Sequence, residues 1–424
     1  MKTNFILAMS LFLSLNLFSQ EPKGIFGNDN WFQNWTNFKP NTIDYKDANI
    51  ILSGNITTNT TLSKKNVYVL NGNVYVTNNA VLTIEPGTII KGDLESIGSL
   101  IITKGSKIMA EGLETDPIIF TSSKNSTERK AGDWGGLIIL GNASINKFGG
   151  YAVLDLGLDQ TIASYGGNDD NSNSGILKYV RIEFAGKKLS ATKEFNALSL
   201  AGVGNKTKLD FIQVSFSNDD SFQCYGGNVN LNNLISYKST DDDFDFTQGT
   251  QCFIKNSIAI RSVYVSDQSK SRCFEIESFD KLENMDFSKK MTKIDASNIT
   301  LVTNDDNYAG LVKEAIYIKD KSFLSFDKGI ISGFSSGILI AESTLNKTKD
   351  IDTITFKDCM INDCETMFAS EYHSNNINVD IQNSSYFMNN FTSKISNIEM
   401  FREINVKKNT DFRYKDLSNV AFTK

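Results

Sequence analysis

Two acidic runs lie a short interval apart in the middle of the chain: Asn218-Asp219-Asp220, and Asp241-Asp242-Asp243 with Asp245 close behind. Each follows a short apolar stretch and precedes a phenylalanine, Phe222 or Phe244, so that Asp220 aligns with Asp242 at an offset of 22 residues. An offset of that size fits one coil of a solenoid. Coils stack at the strand spacing, about 4.8 Å, and carboxylates brought that close repel unless a cation intervenes. Carboxylate oxygens are hard ligands. The pattern therefore points to Ca²⁺ rather than to a soft metal, with Asp219, Asp220, Asp241, Asp242 and Asp243 as the metal-ligating set. The same alignment carries Gln223, Asp245 and Glu275 onto the outward face of successive coils, with Glu277 two residues further on. Asp245, Glu275 and Glu277 are thereby the candidates for contacting a ligand, and Lys238, Lys270 and Arg272 are the basic residues within reach. Two other readings stand beside this one. Asp219-Asp220 and Asp242-Asp243 are also the paired carboxylates that a glycosidase uses as acid and base, and aspartates are common in solvated turns, where they bond to their own backbone.

The rest of the composition narrows the chemistry. There is a single histidine, His373, which excludes a histidine pair for zinc and a histidine base near the acidic runs. Cys224, Cys252, Cys273, Cys359 and Cys364 are odd in number and too few for a disulfide scaffold. Gly202-Val203-Gly204-Asn205-Lys206-Thr207 lacks the glycine before lysine and the spacing of a nucleotide loop, and reads as a turn. With 43 Lys and Arg against 49 Asp and Glu, a formal charge of -6 argues against nucleic acid as a partner.

The elements that must position the acidic runs are strands. Short β-branched runs such as Val67-Tyr68-Val69-Leu70, Val81-Leu82-Thr83-Ile84, Thr88-Ile89-Ile90 and Pro117-Ile118-Ile119-Phe120 alternate with turns rich in Gly, Asn and Asp, of which Glu85-Pro86-Gly87-Thr88 is one. No stretch sustains a helical period. Apolar units continue through Ile258-Ala259-Ile260, Ala315-Ile316-Tyr317-Ile318, Gly337-Ile338-Leu339-Ile340 and Ile351 to Phe356. Stacked coils of this size predict an all-β chain folded as a right-handed parallel β-helix, a solenoid with N- and C-terminal caps, rather than a β-sandwich of hairpins. Phe222, Phe244 and Phe274 would stack inside it.

Leu82 to Gly92, Ser99 to Ile102, Pro117 to Ser122, Gly132-Asp133-Trp134-Gly135-Gly136 with Leu137 to Gly141, and Leu177 to Gly186 together resemble secreted right-handed parallel β-helix proteins of Bacteroidetes-type bacteria, within the pectin-lyase-like fold. The resemblance covers roughly residues 26 to 250. It implies binding of an extracellular polysaccharide, and some such folds resemble pectate lyases, in which aspartates hold Ca²⁺ against a uronate and a Lys or Arg removes the proton. Arg272 and Lys270 are the candidates for that catalytic role. The paired aspartates are similar to those of polygalacturonase-like hydrolases, whose histidine motif is missing here. A structural or adhesion protein working with an outer-membrane uptake system, or binding a surface protein, is the third class.

Lys2, the apolar run Phe5 to Leu13 and small residues up to Ser19 read as a signal peptide over residues 1–19, cut before Gln20, which predicts a secreted or cell-surface protein. No later segment approaches about 20 uninterrupted apolar residues, so no membrane span is expected. The mature chain divides into an aromatic N-terminal cap at 20–50, holding Trp31-Phe32-Gln33-Asn34-Trp35, a β-helix at 51–370, and last coils with a C-terminal cap at 371–424. The cap is expected to pack its rings on the open end of the first coil.

Overall fold

A computed structural model describes residues 23–266, 270–303, 311–345, 354–371, 395–406 and 409–415. Residues 1–19, read above as a signal peptide, and His373 lie outside the described residues. Strands pair in parallel from coil to coil, and the chain is an all-β parallel β-helix, as its sequence predicts. Three walls run its length. The first passes through Val81–Ile84, Lys107–Glu111, Gln251–Lys255 and Phe323–Asp327. The second passes through Ile118–Ser122, Ile258–Arg261 and Thr300–Thr303, and the third through Ser99–Ile102, Leu198–Ala201, Phe222–Tyr225, Phe244–Thr247 and Phe274–Ile276.

Side chains alternate across a strand, so each wall sends every second residue into the lumen. On the third wall one inward column reads Leu137, Leu198, Phe222, Phe244, Phe274, Ile316 and Ile338, in register from coil to coil. Phe222 and Phe244 stack with centroids 5.0 Å apart, and Phe274 meets Phe244 edge-on at 5.2 Å. The next column places Cys224 between Leu200 and Phe246, where a thiol serves as a small apolar filler. All five cysteines are free thiols, and four of them are buried. Trp134, fully buried, donates its indole N–H to the Glu183 carbonyl at 2.8 Å, which fixes the turn around Asp133-Trp134-Gly135.

Between the first and second walls the chain turns on one residue with positive φ in coil after coil: Tyr179, Phe211, Asn233, Asn256, Asn298, Lys328 and Asp358. Asparagine is suited to that left-handed conformation and aromatic residues are not.

The N-terminal segment departs from the expected cap. It runs along the outer face of the second wall, from late coils back to the first. Gly24 donates to the Lys328 carbonyl at 2.7 Å, Ile25 to Thr300 Oγ1 at 3.0 Å, Phe26 to Asn256 Oδ1 at 2.7 Å, Asn37 to Gln213 Oε1 at 2.8 Å and Asn49 to the Val67 carbonyl at 2.9 Å. Ile25, Phe32, Trp35 and Phe38 bury themselves against outward residues of that wall, among them Tyr237, Ile258, Ile260, Val302 and Ile330. The described C-terminal residues join the same layer: Met400, Phe401 and Phe412 are buried in it, and Asn397 donates to the Thr303 carbonyl at 2.7 Å. The reason is area. The second wall presents a long apolar outer face, whereas the end of the solenoid presents one coil, and Ile51 there remains 66% exposed.

Candidate acidic cleft

The turns between the second and third walls carry the acidic runs, and the 22-residue coil places them directly over one another. The Asp242 amide donates to Asp220 Oδ1 at 3.0 Å, across 22 residues, and the Arg272 amide donates to Asp242 Oδ1 at 2.5 Å, across 30. Each aspartate therefore caps the backbone of the next coil. The coil after Asp242 is longer by the excursion that follows Arg261. Gly186 makes room for the first turn: a Cβ there would stand 2.7 Å from the amides of Asn218 and Asp219.

Stacking leaves carboxylates in close company. Asp219, Asp220 and Asp241 each present an oxygen within 4.8 Å of the others. Burial pushes the Asp220 carboxyl well above the ordinary range, and Asp219 and Asp241 add to it. Asp242 is raised in the same way by burial, then by Glu275 and Asp241, and Asp245 by burial, then by Glu277 and Glu275. Asp245 Oδ1 is buried without a hydrogen-bond partner.

Asp243 is turned away from this group. Its side chain points into the interior, where Oδ2 meets Arg261 Nη1 at 3.0 Å with both side chains fully buried, and Ser236 donates to its other oxygen. Asp243 lies in the turn just ahead of the strand that begins at the inward Phe244, and the turn folds its side chain inward as well; this makes it half of a structural ion pair, which corrects its expected place among the metal-ligating residues.

The outward row of the third wall has the expected register: Gln223 beside Asp245, Asp245 beside Glu275, then Tyr317. Gln223 donates to Asp245, and Asn196 donates to Gln223 Oε1 at 2.7 Å and to the Tyr225 hydroxyl at 3.0 Å. Glu275 does not reach outward alone. Burial opposes its charge, but Lys319 and Arg272 hold its carboxyl below the usual range, and Lys319 also meets Glu277 at 2.8 Å. Arg272 is largely buried, 2.9 Å from Glu275 and 4.5 Å over the ring of Tyr317. Lys270 is exposed beyond the turn.

A cleft of about 520 Å³ opens over Asp219, Asp241, Gln223 and Tyr225. Two hairpins form its rim, Ala152–Val153 with Ser164–Tyr165 and Lys188–Ser190 with Lys193–Glu194. Lys193 bridges the hairpins through Asp155 at 2.7 Å, and Asn218 donates to Glu194 at 2.9 Å, which fastens the rim to the acidic turn. Asn196, Tyr225, Lys319 and the hairpins were not singled out from the sequence. Lys319 alone had a signal, since aligning Ile316-Tyr317-Ile318 with Phe274-Glu275-Ile276 sets Lys319 beside Glu277.

The fold is a parallel β-helix with an acidic, amide-lined cleft on one wall. The chain belongs to the family described as pectate-lyase-like β-helix domain, whose model matches residues 54–399. Comparison with curated proteins gives no match, and comparison with solved structures gives none.

Proposed function

We propose that this chain is an exported β-helix that binds an anionic polysaccharide in the acidic cleft, through Ca²⁺ held by Asp219, Asp220 and Asp241. The convergence of those three oxygens within 4.8 Å carries the reading. An ion about 2.4 Å from each oxygen separates opposite ligands by roughly 5 Å, so the set fits one Ca²⁺. The donors are all hard oxygens, and burial together with neighbouring carboxylates raises Asp220 and Asp242, a crowding that added positive charge relieves. Bound Ca²⁺ supplies that charge and offers its remaining positions to carboxylates or hydroxyls of a glycan. Gln223, Asn196 and Tyr225 continue the polar floor along the wall, and Tyr165 and Glu194 face the same cleft.

Binding without turnover fits the basic groups better than a lyase does. The Arg272 guanidinium is occupied by Glu275 and stacked on Tyr317, which leaves it poorly placed to take a proton from a sugar. Calorimetric titration of Ca²⁺ into chelator-treated protein tests the reading, with Asp219→Asn, Asp241→Asn as comparison, followed by polygalacturonate and alginate with and without Ca²⁺. Saturable Ca²⁺ binding that the variant loses, and glycan retention that depends on it, are expected. Release of unsaturated products would replace binding by a lyase, and absence of Ca²⁺ binding would leave an adhesive or structural solenoid.

A further inference from the structure

On the far side of the molecule from the acidic cleft, a second cleft of about 690 Å³ opens where the N-terminal strap meets the C-terminal segment. Its floor is aromatic. Tyr179 and Phe211 stack with centroids 4.6 Å apart and planes 21° from parallel, and Trp31 stands nearly perpendicular to Phe211 at 6.0 Å. All three rings are half-buried, and the fully buried Trp35 supports Tyr179 and Phe211 edge-on at 5.8 and 6.1 Å from beneath.

Both floor rings sit on left-handed backbone, with φ of 50° at Tyr179 and 53° at Phe211. The equivalent turn positions of the next three coils are Asn233, Asn256 and Asn298, the residue type that this conformation favours. Two consecutive coils thus hold large rings where a small amide is the easier choice, and those rings face a cleft. The next turn of the same coils also holds stacked rings on left-handed backbone, Phe184 and Phe216 at φ of 63° and 57°, and of the two pairs only Tyr179 and Phe211 line the cleft. The Trp31 indole N–H is also buried with no protein partner. In the lining Asp29, Glu114, Glu403 and Asp411 outnumber Arg402 and Arg413, and Arg413 is already forked onto Asp411 at 2.7 and 2.9 Å, so the lining disfavours an anionic ligand.

We infer that this corner is a glycan-binding site for neutral hexopyranose chains, which would lie against the solvent-facing parts of Tyr179, Phe211 and Trp31, with hydroxyls reaching Gln33 and Arg402. It is independent of Ca²⁺ and of the acidic cleft, and does not rest on the function proposed there.

Of the three tryptophans, Trp35 and Trp134 are fully buried, and Trp31 is the one that reaches solvent. Acrylamide quenching of the wild-type protein therefore reads this site directly. Xyloglucan, laminarin and hydroxyethylcellulose serve as probes, with polygalacturonate as the anionic comparison, all in EDTA. At least one neutral glycan is expected to protect Trp31 saturably, and Asp241→Asn is expected to leave that protection unchanged. Tyr179→Asn with Phe211→Asn keeps a side chain suited to the backbone and is expected to weaken the glycan on the order of tenfold. The inference is overturned if no neutral glycan protects Trp31, if protection requires Ca²⁺, or if the paired asparagine variant folds and binds as the wild type does.

Discussion

The second and third walls are made of the same kind of coil and end in opposite surfaces. On the second, outward positions are Ile235, Tyr237, Ile258, Ile260 and Val302, and the strap with Trp35 and Phe38 lies over them. On the third, the outward row is Gln223, Asp245, Glu275 and Tyr317, and the turns beside it hold aspartates that face a cleft. The lumen demands apolar residues of both walls. Outward positions are released from that demand, so one wall is used to secure the chain ends and the other to hold polar groups.

The contrast breaks most sharply on the covered wall. Trp35→Ala removes a fully buried indole and is expected to destabilise by about 3–5 kcal/mol in chemical denaturation, with the strap cut first in limited proteolysis. Loss of stability without strap cleavage would show that the ring supports the coils rather than the layer. On the turn side, Arg261→Ala strands the fully buried Asp243 and is expected to cost about 3–5 kcal/mol, measured the same way. An Arg261→Ala protein as stable as wild type would mean that Asp243 is protonated in the fold.

The acidic wall should respond to solution conditions where the covered wall does not. Ca²⁺ at one hundred times its dissociation constant should stabilise the wild type by about 2.7 kcal/mol, and Asp219→Asn with Asp241→Asn should abolish the rise in melting temperature. The pH dependence has a definite sign. Raised carboxyls at Asp220, Asp242 and Asp245 bind protons in the fold that the unfolded chain releases. Their stability is fully present below about pH 4 and is lost as pH rises through the raised values. Chelated protein should therefore lose stability as pH rises above the ordinary carboxylate range, and Asp242→Asn, which keeps an acceptor for the Arg272 amide, should flatten the slope. A flat slope in the chelated wild type would sink the proposed charge crowding. The smallest effect belongs to the exposed Lys64–Asp116 pair at 3.5 Å, where Lys64→Ala should change stability by less than about 1 kcal/mol.

Much of the acidic region was legible because its register is written locally. Phe222 and Phe244 recur at one coil length with aspartates just before them, and a chain that must bury both rings in one column has no freedom to misalign the turns. Glu275 was legible for the same reason. The fate of Asp243 was not, because its partner Arg261 comes from the adjoining coil and three consecutive aspartates look alike until the turn that carries them has folded. The rim hairpins were hidden too, since Lys193 and Asp155 meet only through the path of two excursions from the coil.

The strap shows where sequence reading stops. Trp31, Phe32, Trp35 and Phe38 announce an amphipathic segment that must cover something apolar, and that much follows from residue types alone. Their target does not. Alternation of apolar and polar residues determined the coils, the lumen and the register of the acidic turns, because those depend on neighbours one coil away. Which outer face is covered, which aspartates converge and where the chain ends meet depend on surfaces that come into being once all the coils have stacked. Only the tertiary structure decided them.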